Sequence, residues 1–194
     1  MVSLVAEMRQ FLTQLAAEPL APFLALWPEA GTVDRQLMPN SLPVLRWLPH
    51  TVGLASEEAR GLVRRLVETA VFLTWGQTYT VSDFGADFLA NYGWTELIGL
   101  RGPVASKQLA CGFLLLGPGI EYPLHWHEAE EVYVALTGNG RWRRGDEGWH
   151  VRPAGAVIYH APWQPHTMQT TTEPLLALYL WRGGNLVQKS EVAR

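Results

Sequence analysis

The second half of the chain is a series of short apolar segments separated by turn residues. Nine such segments begin near Trp94, among them ASKQLACGFLLLG, EEVYVALTG and PLLALYLWRG. They are rich in β-branched and aromatic residues, which favour strands, and glycine, proline or charged residues stand between them. Many short strands at this spacing are typical of a closed barrel or jelly roll. The pattern therefore predicts a mainly β domain over residues 94–194, with the polar tail after Gly184 expected to fray.

Two segments of the first half have helical spacing. Apolar side chains recur near this spacing between residues 3 and 17. The clearest helix is predicted over residues 56–75, where Ser56 can cap the first turn and Glu57 and Glu58 suit the positive end of the helix dipole. Its apolar residues form one stripe, which requires a packing partner. That partner is either the outside of the barrel or a second subunit, so both a monomer and a homodimer are compatible with the sequence.

The rest of the first half consists of a proline-rich stretch, which excludes long helices, and a connector. Six prolines lie between residues 19 and 49 and favour short turns there. Residues 76–93 are expected to form a polar, aromatic-bearing connector that ends in the turn sequence NYGW. Residues 1–93 are therefore predicted to be an N-terminal α-helical extension that packs on the barrel of residues 94–194.

Composition and charge exclude several classes of protein. A net charge of −3 and a pI near 6.1 argue against a nucleic-acid partner or an anionic membrane surface. The chain contains no apolar run of bilayer-spanning length, and its N-terminus lacks the basic region of a signal peptide. The single cysteine, Cys111, lies in an apolar strand segment and cannot form an internal disulfide. Together these features predict a cytoplasmic protein with no nucleic acid or membrane partner.

The segment from Gly119 to Gly138 carries the candidate chemistry. His125 and His127 alternate, which on an extended strand directs both imidazoles to one side. Glu131 and Tyr133 share a parity on the following strand and would face the same interior. Two nitrogen and two oxygen donors can therefore converge from one hairpin. Such a set suits Fe, Zn, Mn, Co or Ni, and does not choose between them.

A second segment, PAGAVIYHAPWQPH over residues 153–166, completes the pattern. The two segments resemble the two signature motifs of the cupin superfamily, small β-barrels (jelly rolls) that hold a metal ion inside. In the second motif the closing histidine stands eleven residues after the turn glycine, here Gly155 and His166, although the asparagine that usually follows is missing. His160 shares the parity of Ile158, which leaves open whether it reaches the interior. The matching metal ligands are His125, His127, Glu131 and His166.

A narrower resemblance is carried by the two motifs, by the E-x-Y extension that Glu131 and Tyr133 form, and by the later segment PLLALYLWRG. Together they resemble the cupin-type dimethylsulfoniopropionate lyases of the DddQ group. These enzymes cleave dimethylsulfoniopropionate to dimethyl sulfide and acrylate. The resemblance implies one divalent transition metal per chain, with iron or zinc favoured, and a small zwitterionic sulfonium substrate. The residues that it implies are His127, Glu131, His166 and Tyr133 at the metal, and His125, Tyr122 and Trp181 around the substrate.

The chemistry of this reaction suggests a role for the tyrosine. Dimethyl sulfide leaves readily, so the difficult step is removal of a proton from the carbon next to the carboxylate. A metal ion would bind that carboxylate and favour the ionised form of a nearby tyrosine, whose free pKa is about 10. Tyr133 is therefore the candidate general base, with Tyr122 as a second catalytic candidate. The sulfonium would lie among rings such as those of Tyr122 and Trp181.

The nine tryptophans indicate an aromatic-rich interior. Four of them lie between Trp126 and Trp163, close in sequence to the candidate ligands, and aromatic faces attract a cation that lacks N–H donors. Most tryptophans nevertheless serve as packing residues. Two other functions remain open: an iron-dependent cupin dioxygenase, and a non-catalytic cupin that binds a small cationic osmolyte.

Overall fold

The computed structural model describes residues 2–29 and 35–193. In these ranges the α-helices are α1 Val2–Leu15, α2 Ala21–Leu24, α3 Thr51–Leu54, α4 Arg60–Thr69 and α5 Val81–Ala90, and 3-10 turns cover Glu18–Leu20, Pro43–His50 and Ala70–Phe72. The strands are β1 Trp75–Gly76, β2 Tyr92–Gly99, β3 Val104–Ala105, β4 Leu109–Leu116, β5 Glu121–Trp126, β6 Glu130–Ala135, β7 Gly140–Arg144, β8 His150–Arg152, β9 Val157–His160, β10 His166–Gln169, β11 Leu175–Arg182 and β12 Glu191–Val192.

The strands form two sheets whose inner faces pack together. One sheet has the order β1-β2-β4-β11-β6-β9, with β3 beside β2, and the other has the order β12-β5-β10-β7-β8. All pairings in the main orders are antiparallel, and β3 pairs with β2 in parallel. Tyr133 of the first sheet and Trp142 and Met168 of the second belong to one buried cluster. The mainly β fold expected from the sequence is confirmed.

The larger sheet is buried on both faces, which explains its continuous apolar strands. All eight residues of β4 are buried. Leu114 and Leu116 point into the space between the sheets, whereas Cys111, Phe113 and Leu115 join the core on the outer face. The pleat of a strand sends neighbouring side chains to opposite faces, so one strand serves two cores. The strand therefore has no polar side to face water.

The N-terminal helices cover this outer face. Met8 and Leu12 of α1 and Leu66 of α4 belong to the same buried cluster as Phe113 and Leu178 of the sheet. The apolar stripe of α4 therefore packs against the sheet of its own chain. None of the helices in the described parts of the chain combines the length and apolar character that crossing a membrane requires.

The predicted helix over residues 56–75 is shorter in the structure. The residues from Ser56 form a turn in which the Ser56 hydroxyl accepts a hydrogen bond from the Ala59 amide at 3.2 Å, and α4 begins only at Arg60. At the other end, α4 gives way to a 3-10 turn after Thr69, whose hydroxyl donates to the carbonyl of Arg65 at 2.7 Å. The stripe therefore stops before Val71.

The predicted polar, aromatic-bearing connector over residues 76–93 is not simply a connector, because α5 lies within it. Thr80 and Asp83 form a capping box, in which the Thr80 amide donates to the Asp83 carboxylate at 2.8 Å. Gly85 has a φ of +80° and kinks the helix, which hides its period in the sequence.

The prediction that the tail after Gly184 frays is also wrong for its described part. β12 pairs with β5, where Val192 lies opposite His125 and Glu191 opposite Trp126. The Ala193 amide adds a hydrogen bond to the carbonyl of Leu124 at 2.9 Å. An edge strand of the barrel supplies these backbone partners, which a polar sequence does not reveal.

Candidate metal centre

The two sequence motifs meet inside the barrel. His125 is on β5, His127 follows that strand, Glu131 is on β6 and His166 begins β10. β10 pairs with β5 so that His166 lies directly opposite His125. Each of these four buried residues offers one ligand atom, and these atoms all lie within 4.8 Å of one another. Strand pairing therefore unites residues that are about forty positions apart in the sequence.

Backbone carbonyl groups orient all three imidazoles in the same way. The Nδ1 atoms of His125, His127 and His166 lie 2.8 Å from the carbonyl oxygens of Pro123, Ala129 and Gln164, respectively. A carbonyl accepts a proton, so each Nδ1 carries the hydrogen and each Nε2 keeps a lone pair. This arrangement fixes the tautomer that a metal ligand requires.

Two of these Nε2 atoms lie against the carboxylate of Glu131. Its Oε2 lies 3.2 Å from Nε2 of His127 and 3.0 Å from Nε2 of His166. Within the described residues, Nε2 of His166 is buried and has no hydrogen-bond partner. Lone pairs at this separation repel each other unless a cation lies between them. Three imidazole nitrogens and one carboxylate oxygen form a donor set that suits a divalent transition metal ion.

A residue of β11 holds the other oxygen of this carboxylate in place. The indole Nε1–H of Trp181 donates to Oε1 of Glu131 at 2.5 Å, and Trp181 and Glu131 lie opposite each other on the paired strands β11 and β6. The Trp181 ring also packs on His127, with 4.1 Å between the ring centroids. Trp181 therefore orients two of the candidate ligands at once.

The protonation states of the cluster suit a metal ion. Burial acts to raise the pKa of Glu131, but the interactions of its carboxylate with the adjacent imidazoles of His127 and His166 outweigh burial and hold the pKa well below its usual range. Burial, together with His166, lowers the pKa of His125 well below 6.5. The carboxylate is therefore ionised, and the His125 imidazole is neutral, at neutral pH.

Both candidate tyrosines lie beside the cluster. Tyr133 follows Glu131 on the same face of β6, and its ring centroid is 6.3 Å from that of His166. Burial, followed by the nearby carboxylate of Glu131, raises the pKa of Tyr133 well above 10. The Tyr122 ring contacts His125 at 4.6 Å between centroids, and its hydroxyl is 3.5 Å from that of Tyr92. The structure thus brings Tyr122, Tyr133 and Trp181 to one cavity with His125 and Glu131.

His160 is buried in the same region. Its ring stacks on His166 with 4.0 Å between centroids and an interplanar angle of 15°. Neither of its ring nitrogens has a hydrogen-bond partner among the described residues. Burial, followed by the interaction with the neighbouring His166 imidazole, lowers the pKa of His160 well below 6.5. The shared parity of His160 and Ile158 in the sequence was compatible with an interior position. It did not indicate the contact with His166.

The tryptophans near the motifs in sequence are not the ones that line the cavity. Trp142 packs on Tyr133 at 5.2 Å between centroids, and Trp163 is 48% exposed. Trp94 and Trp181 line the cavity instead. The sequence did not single out several further lining residues, which come from β2, β11 and the adjoining loops: Tyr92, Glu96, Arg101 and Tyr179.

Comparison with known proteins identifies the family. The sequence profile of the dimethylsulfoniopropionate lyase family matches residues 26–177. Dimethylsulfoniopropionate lyase DddQ of Ruegeria pomeroyi is 32% identical over 170 residues, which are 87% of this chain and 83% of that protein. The crystal structure of DddQ from this organism superposes with a TM-score of 0.79 at 26% identity, and covers 95% of this chain and 96% of its own.

Two further solved structures agree with this result. A chain from the crystal structures of the lyases RdDddP and RnDddQII superposes with a TM-score of 0.86 at 30% identity, and covers 98% of this chain and 96% of its own. A cupin-2 domain from Rhodospirillum rubrum has a TM-score of 0.50 at 15% identity over 63% of this chain and 76% of its own, which supports the cupin fold alone. The chain therefore belongs to the dimethylsulfoniopropionate lyase family.

Proposed function

We propose that this protein is a metal-dependent lyase that converts dimethylsulfoniopropionate to dimethyl sulfide and acrylate by β-elimination. The observation that carries the proposal is the convergence of His125, His127, Glu131 and His166 within 4.8 Å in a chain of this family. Tyr133 and Trp181 line the cavity beside these residues.

The four convergent residues would hold one divalent transition metal, iron or zinc in the first instance. When bound, such an ion would attract the substrate carboxylate, stabilise negative charge on its oxygens and favour the ionised form of Tyr133. The carbonyl groups behind the three imidazoles accept hydrogen bonds from Nδ1, which orients the rings and directs Nε2 toward the metal site. Trp181 holds the carboxylate of Glu131 in its orientation.

Tyr133 is the proposed general base. Its oxygen would take the proton from the carbon next to the substrate carboxylate, and the electron pair of that C–H bond would form the new double bond. The C–S bond would break at the same time, with its electrons leaving on dimethyl sulfide. Tyr133 is buried on the strand that carries Glu131, so the base and the site of the carboxylate lie together. Exclusion of water protects the base from competing proton sources.

The remaining site residues would bind and orient the substrate. Tyr122 lies edge-on to His125 and near Tyr92, where its hydroxyl can donate to the substrate carboxylate. Trp181 presents its ring to the cavity, and an aromatic face attracts a sulfonium that has no N–H donors. Tyr122 is thus the second catalytic candidate, and His125 serves both the metal and the substrate.

The Tyr133→Phe variant tests this assignment. Release of dimethyl sulfide, measured in the headspace, should fall by at least about a hundredfold, as expected from loss of a general base. The metal content of the variant should match that of the wild type. Tyr159→Phe is the matched control, because the Tyr159 hydroxyl donates to Glu130 at 2.9 Å and the side chain packs with the outer core. Wild-type turnover by metal-loaded Tyr133→Phe would exclude Tyr133 as the base.

A further inference from the structure

Glu96 is a buried carboxylate on the inner face of the strand β2. It is 5% exposed and lies on β2 among Trp94, Leu97 and Ile98. Strand pairing places Glu96 opposite Gly112, Gly112 opposite Tyr179, and Tyr179 opposite Tyr133. Glu96 therefore occupies the same layer of the barrel as the proposed base, and it lines the same cavity.

The two oxygens of this carboxylate have different surroundings. Oε1 accepts hydrogen bonds from the Arg101 amide at 2.5 Å and the Gly102 amide at 3.0 Å. Oε2 lies 4.0 Å from the Arg101 guanidinium and accepts no hydrogen bond from the described residues, and the positive charge of Arg35 also acts on this carboxylate. That guanidinium lies over the Trp94 ring at 5.4 Å and donates to the carbonyl of Val187 at 2.7 Å. Arg101 is thus held away from close pairing with Glu96.

The hydrogen bonds that stabilise the turn at Arg101 and Gly102 use only Oε1 of Glu96 and leave Oε2 unexplained. An asparagine or glutamine would accept the two amide hydrogens equally well, without the large cost of burying a charge. Burial raises the pKa of Glu96, so the carboxylate would gain from a cation beside it. A suitable cation is one without N–H donors, because aromatic faces and a single carboxylate can match its diffuse charge. Tyr92, Trp94 and Tyr179 line the cavity near Glu96.

We propose that Glu96 is the specificity-determining residue for the cationic end of the substrate. This inference rests on the proposed function, in which the His125, His127, Glu131 and His166 cluster takes the carboxylate end. The cavity would therefore select small zwitterions that join a carboxylate to a permanently charged sulfonium or quaternary ammonium group. An uncharged compound of the same shape would bind weakly, since it would desolvate the Glu96 carboxylate and add no positive charge beside it.

A pair of isosteric ligands tests the charge requirement directly. 3-(Trimethylammonio)propionate and 4,4-dimethylpentanoate have the same shape and carboxylate, and differ by one positive charge. Their dissociation constants are measured by titration calorimetry on the metal-loaded protein. The wild type should favour the cation by at least about tenfold, in the range expected for a desolvated charge pair. Equal affinities in the wild type would overturn the proposal without any variant.

The Glu96→Gln variant then assigns the preference to this residue. Glutamine keeps the acceptor for the Arg101 and Gly102 amides, so the turn should persist. The preference for the cation should fall by at least about tenfold, because the cation loses its counter-charge and the neutral isostere no longer desolvates a carboxylate. Glu121→Gln removes one exposed carboxylate of β5 and should leave the preference unchanged. An unaltered preference in folded Glu96→Gln would overturn the proposal.

These binding constants do not depend on turnover, so the two proposals fail separately. Wild-type protein that prefers the cation but releases no dimethyl sulfide from dimethylsulfoniopropionate would contradict the proposed function. If the wild type releases dimethyl sulfide and Glu96→Gln keeps the wild-type preference for the cation, only the assignment of Glu96 is contradicted.

Discussion

At the scale of single residues, the candidate metal centre depends on backbone carbonyl groups as much as on the ligands. The Nδ1 atoms of His125 and His166 each contact a carbonyl two residues earlier in the chain, and that of His127 contacts one two residues later. Because these contacts are local, each imidazole is oriented by its own segment. Strand pairing then only has to bring the segments together.

A variant of Trp181 tests whether its hydrogen bond to the Glu131 carboxylate strengthens metal binding. The Trp181→Phe variant keeps an aromatic ring but removes the N–H that donates to Oε1 of Glu131. Loss of a hydrogen bond to a ligand typically weakens metal binding by about ten- to a hundredfold. Competition with a chelating dye measures this affinity. Trp126→Phe is the control, since the Trp126 indole donates to Glu191 instead, and it should bind metal as the wild type does. Equal affinity in both variants would refute the role of Trp181.

The buried imidazoles predict how acid acts on the metal-free protein. The pKa values of His125 and His160 are lowered well below 6.5 by burial, so both are neutral in the folded chain. As the pH falls below 6.5, the unfolded chain binds protons that the folded chain does not. The free energy of unfolding should therefore fall with pH, by up to about 1.4 kcal/mol per pH unit for each histidine.

Urea denaturation of chelator-treated protein at pH 5.5 and 6.5 measures this slope. His160→Phe should have a shallower slope, because one of the two buried imidazoles is absent. His160 is a useful position for the comparison, since its ring nitrogens have no hydrogen-bond partner among the described residues. A slope that is unchanged in the variant, or stability that rises on acidification, would contradict this explanation.

At the scale of elements, the strands could be predicted and several boundaries could not. β4 and β11 read as strands because their apolar runs are short and bounded by glycine or proline. α5 was missed although its capping box, Thr80 and Asp83, is visible in the sequence, because Gly85 interrupts the helical period. β12 depends on hydrogen bonds from the edge of β5, a non-local cause that its own residues do not reveal.

Two glycines allow an element-scale prediction. A Cβ on Gly112 of β4 would lie 1.9 Å from the Thr95 carbonyl oxygen, whereas one on Gly61 of α4 would meet nothing within 4 Å. Gly112→Ala should therefore lower the free energy of unfolding by about 3 kcal/mol or more. Gly61→Ala should raise it by about 0.5 kcal/mol, because alanine favours a helix.

Chemical denaturation of the two variants alongside the wild type measures both effects. Gly61→Ala controls for the added methyl group itself. If Gly112→Ala were as stable as the wild type, the close approach of β2 and β4 that positions Glu96 would not exist in solution.

At the scale of the whole molecule, the helices α1 and α4 and the second sheet cover opposite faces of one large sheet. The convergence of His125, His127, Glu131 and His166 could be predicted because these residues lie in two short motifs. Trp94, Glu96 and Arg101 could not, because they reach the cavity only through the order β2-β4-β11-β6, which no local pattern specifies. For the same reason, Trp142 and Trp163 lie near the motifs in sequence but do not line the cavity.

The proposed lyase activity makes one prediction about the complete protein that does not depend on any variant. Under anaerobic conditions, metal-loaded protein should convert dimethylsulfoniopropionate to acrylate and dimethyl sulfide in equal amounts. Removal of the metal should abolish both products, and one equivalent of iron or zinc per chain should restore them. The absence of oxygen separates this reaction from that of a dioxygenase.

Quantification of acrylate and dimethyl sulfide before metal removal, after it and after reconstitution is therefore the most direct test. We expect equimolar products from the loaded and reconstituted protein and none from the stripped protein. Undiminished turnover by stripped protein, or no product from protein loaded with one metal ion at the cluster of His125, His127, Glu131 and His166, would contradict the proposal.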